Sequence, residues 1–227
     1  MSALPFMPPA AVFFDLDGTL ADTSADLAAP VNAMRVERGL PPMPVERLRP
    51  FTSMGARGLL AKGLDVHTDH PDYEALRQDF LRRYEARICV DTRLFDGMDR
   101  VLDALDAAGI PWGVVSNKFE RYVRPILDEL GLSARSRTAI GGDTASHAKP
   151  HPAPLLHAAA ITGVDPSRCV YVGDDLRDVQ AAHAAGMKAV VAAYGFCGED
   201  LPPAEWGGDA LIERADALLD VLGLPAA

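Results

Sequence analysis

Two carboxylates two residues apart, Asp15 and Asp17, are the residues of this 227-residue chain best placed to do chemistry. They follow an apolar run rich in strand formers, Ala10 to Phe14, and precede Gly18 and Thr19, which make a tight turn. In an extended segment both carboxylates project to one side of the pleat, and the turn brings backbone groups beside them. Like charges this close repel unless a cation or a proton lies between them. Three readings follow: a turn with an Asp cap, a calcium loop, and a metal-assisted nucleophile. A calcium loop calls for Gly at its sixth position and Glu at its twelfth, where this chain has Leu20 and Asp26. Three later segments agree with the metal-assisted nucleophile.

The elements that must position these groups fall into two kinds. After Leu20 the pattern turns helical: Leu27, Val31, Met34 and Val36 recur along Ala21 to Arg38, Asp22, Thr23 and Ser24 are available as caps, and Gly39 with Pro41-Pro42-Met43-Pro44 ends the stretch. Further helices are predicted over 45–50, 56–63 and 72–87, and no strand signal appears until about residue 110. Residues 21–91 therefore read as an all-helical insert, and residues 1–20 and 92–227 as the catalytic core.

From Leu94 onward, helices and strands alternate. Strands are predicted over 110–115, 138–140, 169–172, 189–193 and, weakly, 210–212, and helices over 98–108, 119–130, 155–161, 176–185 and 215–222. Such repeats predict an α/β fold, a Rossmann-like doubly wound parallel sheet with helices on both faces. Ligands of such sheets gather beyond the carboxyl ends of the strands. Asp15 ends the first strand, Ser116-Asn117-Lys118 the second and Gly173-Asp174-Asp175 the fourth, while Lys149 lies in the loop after the third. Pro150 and Pro152 stiffen that loop, which a mobile surface lysine would not require.

Asp175 and Asp178 are spaced as an acidic variant of a capping box. His147 and His151 flank Lys149 without a third ligand, the pattern of ordinary surface histidines. The chain has no Gly-x-x-x-x-Gly-Lys-Ser/Thr loop and no Gly-x-Gly-x-x-Gly after a strand, which disfavours the common modes of nucleotide hydrolysis and dinucleotide binding.

Composition narrows the partners. Hydrophobic residues make up 48% and charged residues 24%, ordinary for a soluble globular protein. The formal charge of −10 lies wholly outside residues 20–90, which hold ten basic and ten acidic residues. An acidic body repels phosphate backbones, so nucleic acid is excluded as a partner. Cys89, Cys169 and Cys197 form no Cys-x-x-Cys pair, which suits a reducing compartment and no zinc site. The opening Met-Ser-Ala-Leu-Pro-Phe-Met-Pro-Pro reads as a frayed leader, and no run nears the roughly 18 apolar residues of a membrane span. The expectation is a cytoplasmic protein without a membrane partner, as a monomer or a homodimer.

The four polar segments together resemble the haloacid dehalogenase-like superfamily, whose magnesium-dependent phosphatases carry Asp15-Leu-Asp17-Gly-Thr-Leu, a Ser such as Ser116 after an apolar strand, Lys149-Pro150, and Gly173-Asp174-Asp175-Leu-Arg-Asp178 in this order. The resemblance implies that Asp15 attacks phosphorus and forms an aspartyl phosphate, and that Asp17 protonates the leaving alkoxide and then activates water. It implies a Mg²⁺ held by Asp15, Asp174 and the Asp17 backbone carbonyl, with Asp178 in a supporting place and Asp175 mainly as a cap. Ser116, Asn117 and Lys149 are implied to hold the phosphate.

The insert resembles the cap of phosphoglycolate phosphatases. Within it, Thr52-Ser53-Met54-Gly55-Ala56-Arg57 suits a loop whose backbone approaches a polar substrate, with Gly55 giving access and Arg57 meeting a carboxylate. Arg38-Gly-Leu-Pro-Pro42, Leu94-Phe-Asp-Gly-Met98, Trp112-Gly-Val-Val-Ser-Asn-Lys118, Tyr194-Gly195 and Trp206-Gly207 resemble the N-acetylmuramic acid 6-phosphate phosphatase branch. The implied substrate is a small anionic phosphate ester, that sugar phosphate first and 2-phosphoglycolate second. A phosphosugar mutase and a non-catalytic phosphoacceptor module are the remaining readings. Asp17 argues against the last, because a passive acceptor needs no acid for a leaving alcohol.

Overall fold

A computed structural model describes residues 8–225, so most of the expected leader lies outside the described residues. The main sheet is built from β1 (Ala11–Phe14), β4 (Trp112–Val115), β5 (Ala139–Ile140), β6 (Cys169–Gly173), β7 (Lys188–Ala192) and β8 (Ala210–Ile212). Their order is β5-β4-β1-β6-β7-β8 and every pairing is parallel. Numbered within the sheet alone, this is the 3-2-1-4-5-6 order of doubly wound folds, whose strand order reverses at the crevice between β1 and β6.

The strands read as near-continuous apolar runs because both faces are covered. Alternate side chains supply the two layers. Val12, Phe14, Trp112, Val114, Val170 and Val172 pack under α5 (Met98–Ala107), α6 (Glu120–Glu129) and α9 (Ala217–Leu222). Phe13, Val115, Tyr171 and Val191 pack under α7 (Ala153–Thr162) and α8 (Leu176–Ala184). Each large side chain buried this way stabilises the fold by about 1.5–3 kcal/mol, enough to hold a four-residue strand such as β1 in place.

The insert holds α1 (Ser24–Glu37), α2 (Val45–Leu48), α3 (Gly55–Leu64) and α4 (Tyr73–Glu85). Leu27, Val31, Met34, Leu59, Leu60, Phe80 and Tyr84 form its own core, which Tyr122 of α6 joins. Two details depart from the expected pattern. The chain enters and leaves the insert through a short antiparallel ribbon, β2 (Ala21–Asp22) with β3 (Arg93–Leu94), so strand structure precedes residue 110 and the first helix starts at Ser24. Strands of two residues are too short to carry an alternating signal. The helix expected over 45–50 stops at Leu48 and tightens into a 3₁₀ turn over Arg49–Met54, where Pro50 supplies no amide to continue the α ladder.

Asp26, fully buried in the first turn of α1, staples the exit of the insert to its entrance. Its Oδ2 accepts from the Asp91 amide at 2.9 Å, the Thr92 amide at 2.9 Å and Thr92 Oγ1 at 2.8 Å, and its Oδ1 lies 3.2 Å from Arg87. Asp26→Ala leaves two amides, a hydroxyl and part of a guanidinium unpaired. The expected loss is about 2–4 kcal/mol, or roughly 5–15 °C in Tm for a chain of this size. Thermal unfolding checks it, and a change below about 2 °C contradicts the staple.

Candidate active site

The sheet brings the polar residues together by register. Phe14 pairs with Val172, so the residues after them leave adjacent strands side by side. Asp15 makes a last sheet bond, its amide donating to Val172 O at 2.9 Å, before the chain turns and the Leu20 amide returns to Asp15 O at 3.2 Å. Gly18, at φ +84°, passes so close to Asp174 that a Cβ there would lie 2.1 Å from Asp174 Oδ2. Only glycine satisfies both the left-handed turn and that approach. Gly195 closes the other side, where a Cβ would lie 2.3 Å from Asp174 Cβ.

Three carboxylates result, on Asp15, Asp174 and Asp178, with one oxygen of each within 4.8 Å of the others. Asp174 and Asp178 are buried, and Asp15 retains 13% side-chain exposure on the open side. Asp174 accepts from Thr19 Oγ1 at 2.9 Å and from the Phe196 amide at 2.8 Å. Burial, with Asp15 and Asp178 as neighbouring charges, pushes its pKa well above the usual carboxylate range. Asp178 is raised to about 7 by burial, with Lys149 opposing and Asp15 adding to the rise. Its Oδ1 lies 2.7 Å from Lys149 Nζ yet makes no well-aligned hydrogen bond, leaving a buried acceptor facing the cluster. A cluster of hard oxygens with this excess of negative charge could hold a small divalent cation.

Lys149 is the one buried ammonium against that charge. Its Nζ reaches Asp15 Oδ2 at 3.0 Å and donates to Tyr171 Oη at 2.7 Å and Val115 O at 3.2 Å. Burial works against the charge, but Asp15 and Asp178 outweigh it and hold the ammonium pKa above its ordinary value. Asn117 positions this lysine. Its Nδ2 donates to Lys149 O at 2.9 Å and its Oδ1 accepts from the Lys149 amide at 2.8 Å. Both ends of the amide thus meet the Lys149 backbone, and Asn117 also borders the open space beside the site. Ser116 is buried beside it at the chamber wall, its Oγ accepting from the Lys118 amide at 3.3 Å.

Asp17 points away from the cluster, towards the insert. Lys118 Nζ donates to both its oxygens, at 2.9 and 2.8 Å, and Thr23 Oγ1 donates to Oδ1 at 2.5 Å. Lys118 is enclosed, 7% exposed, with its Nζ 4.9 Å from the centroid of the Tyr84 ring on α4. Its pKa is raised, Asp17 outweighing the opposing effect of burial. The cluster of side chains is thus Asp15, Asp174 and Asp178, while the Asp17 carboxylate is held apart from it by Lys118 and Thr23.

Between these groups and the insert lies a chamber of about 270 Å³. Core residues Asp15, Asp17, Ser116, Lys149 and Asp178 line one side, and the stretch from Thr52 to Arg57 lines part of the other. Gly55 opens α3 at φ +61° and Arg57 stands exposed within its first turn. Arg177 ties the two sides, binding both oxygens of Asp175 at 2.8 and 2.7 Å and donating to Ser53 O at 2.9 Å. The acidic capping box forms: Asp175 Oδ1 accepts from the Arg177 amide at 2.9 Å, and Asp178 Oδ2 from the Asp175 amide at 3.1 Å. Asp178 thus caps a helix with one oxygen and joins the cluster with the other. His147 and His151 stack on the exterior, 4.3 Å between centroids, apart from the chamber.

Sequence reasoning missed Lys118, Tyr171 and Tyr84. Lys118 had a signal, a cation closing the polar run after the second strand. Tyr171 and Tyr84 did not, because an aromatic in a buried strand or on the apolar face of a helix reads as core.

Comparisons with known proteins agree over nearly the whole chain. A family model described as haloacid dehalogenase-like hydrolase matches residues 12–192. An N-acetylmuramic acid 6-phosphate phosphatase of Pseudomonas aeruginosa is 43% identical, covering 93% of this chain and 94% of its own. A phosphoglycolate phosphatase of Xanthomonas campestris is 47% identical, covering 96% and 98%. A crystal structure described as a predicted phosphoglycolate phosphatase from Haemophilus somnus superposes with a TM-score of 0.82 at 27% identity, covering 96% of this chain and 99% of its own.

The Asn117 clamp has a measurable weight. Asn117→Ala removes two hydrogen bonds from the Lys149 backbone, and is expected to lower stability by about 1–3 kcal/mol while reducing kcat more than it changes KM. A rise in KM alone, with unchanged kcat and Tm, contradicts the clamp.

Proposed function

The chain belongs to the haloacid dehalogenase-like hydrolases, and we propose that it is a Mg²⁺-dependent phosphatase working through an aspartyl phosphate on Asp15. Its proposed substrate is N-acetylmuramic acid 6-phosphate, with 2-phosphoglycolate as the alternative. The observation that carries the reaction is the convergence of Asp15, Asp17 and Lys149 on one chamber.

In the first step an Asp15 carboxylate oxygen attacks phosphorus, the bond from phosphorus to the ester oxygen breaks, and Asp17 delivers a proton to that oxygen as the alcohol departs. In the second, water attacks the same phosphorus, Asp17 takes the proton, and phosphate leaves Asp15 free. Lys149 offsets the charge gathered by Asp15 and the phosphate oxygens, held in place by Tyr171 and by the Asn117 clamp. Lys118 and Thr23 fix the Asp17 carboxylate on the chamber that Asp15 also lines. Asp15, Asp174 and the Asp17 carbonyl are the proposed Mg²⁺ ligands, with Asp178 beside them. The ion supplies charge neutralisation on the phosphate oxygens. The insert, residues 21–91 in this reading, closes the chamber against water and selects the leaving group.

Relatives with either name match almost equally well, so identity does not separate the two substrates. The sugar ester is favoured because the chamber runs on along α4 to Tyr73, beyond the reach of a two-carbon acid. The compartment proposed is the cytoplasm, and among the described residues no helix is long and apolar enough to cross a membrane.

Phosphate release should require Mg²⁺ and stop in EDTA. Asp15→Asn and Asp17→Asn should each cost at least about 1,000-fold in kcat. Mg²⁺ at about 100 times its Kd should add about 2.7 kcal/mol of stability, roughly 5–10 °C in Tm, and Asp174→Asn should abolish that shift. Normal turnover in either nucleophile-loop variant, or full activity in EDTA, contradicts the proposal.

A further inference from the structure

Helix α4 presents one continuous face to the chamber. Tyr73, Arg77, Phe80, Leu81 and Tyr84 all line it, and their spacing places them in a single stripe. At 1.5 Å per residue the stripe is roughly 16 Å long, and Arg77 lies about 10 Å along the axis from Tyr84. The Tyr84 end is fixed against the chemistry, since its ring sits against Lys118, whose ammonium holds Asp17. Arg77 therefore belongs to the far end, away from the ester oxygen.

Tyr84 is 1% exposed and its Oη has no open surface, so this ring closes its end of the stripe against Lys118 rather than offering a polar group to a ligand. Arg77 is partly enclosed, 29% exposed, and gives one described hydrogen bond, from Nη1 to Glu74 Oε1 at 3.1 Å. The rest of its planar fork suits a carboxylate.

We infer that α4 reads the leaving group, Arg77 pairing with a carboxylate on the far side of a hexose-sized group from the ester. The inference rests on the phosphatase reading and assigns its specificity to this helix. In N-acetylmuramic acid 6-phosphate the carboxylate hangs across the ring from the phosphate. In 2-phosphoglycolate it is attached to the carbon that bears the ester, too near the phosphate for Arg77 to reach. Arg57 sits on the other wall, whose Ser53 carbonyl is tied by Arg177 to Asp175, at the carboxylate-cluster side of the chamber.

The test compares kcat/KM for N-acetylmuramic acid 6-phosphate with that for N-acetylglucosamine 6-phosphate, the same sugar ester without the acidic side arm. In Arg77→Gln the ratio of the two should fall about 10- to 100-fold, the worth of a charge-assisted hydrogen bond, with Tm within about 2 °C of wild type. A ratio within threefold of wild type in Arg77→Gln, or a collapse of the ratio in Arg57→Gln instead, overturns the inference while wild-type hydrolysis of the sugar ester keeps the phosphatase reading. A wild-type enzyme that prefers 2-phosphoglycolate over both sugars overturns the proposed substrate together with the inference.

Discussion

Three carboxylates packed against one buried ammonium are the constraint on which the rest of this molecule depends. Asp15, Asp174 and Asp178 place oxygens within 4.8 Å of one another in a site largely closed to water, where charge is expensive. Lys149 offsets part of it, and burial, with the charges of Asp15 and Asp178 adding to it, drives the Asp174 carboxyl pKa upward. Most of the local architecture serves that arrangement. Parallel pairing of β1 with β6 brings Asp15 and Asp174 to one crevice, glycines at 18 and 195 let backbone press against Asp174, and the capping box turns Asp178 inward. Tyr171, rising from the middle of β6, spends its hydroxyl on Val115 O and on the ammonium instead of on packing alone.

A second cation divides the labour. Lys118 and Lys149 come from different loops and hold different aspartates, so the proposed nucleophile, Asp15, and the proposed proton-transfer group, Asp17, stand in separate electrostatic surroundings although they are two residues apart in the chain. This arrangement also couples the core to the insert, because Lys118 is sandwiched between Asp17 and Tyr84 of α4, and Arg177 joins Asp175 to Ser53. The insert is thereby held over the chemistry by the charged residues of the site.

Much of this was legible in the chain. Asp15, Asp174, Ser116 and Lys149 could be found because each ends an apolar strand or sits in a stiffened loop, and strand ends in a doubly wound sheet converge. The acidic capping box was legible from spacing alone. What escaped notice was of two kinds. The β2–β3 ribbon and the 3₁₀ turn at Arg49–Met54 are too short for periodicity to reveal. Residues that act through geometry rather than type, such as Asn117 on the Lys149 backbone or Tyr84 against Lys118, depend on what the tertiary fold puts opposite them, which spacing along one element does not encode.

The central claim is that phosphorus passes through Asp15, and it is tested most directly by stopping the reaction in acid within its first turnovers and weighing the protein. The account predicts a wild-type species heavier by one phosphoryl group, labile to hydroxylamine and mapped by peptide analysis to Asp15, and its absence when Asn replaces Asp15. Steady turnover with no phosphoprotein in wild type under conditions where the second step is slowed, or a phosphoryl group on any other residue, would contradict it.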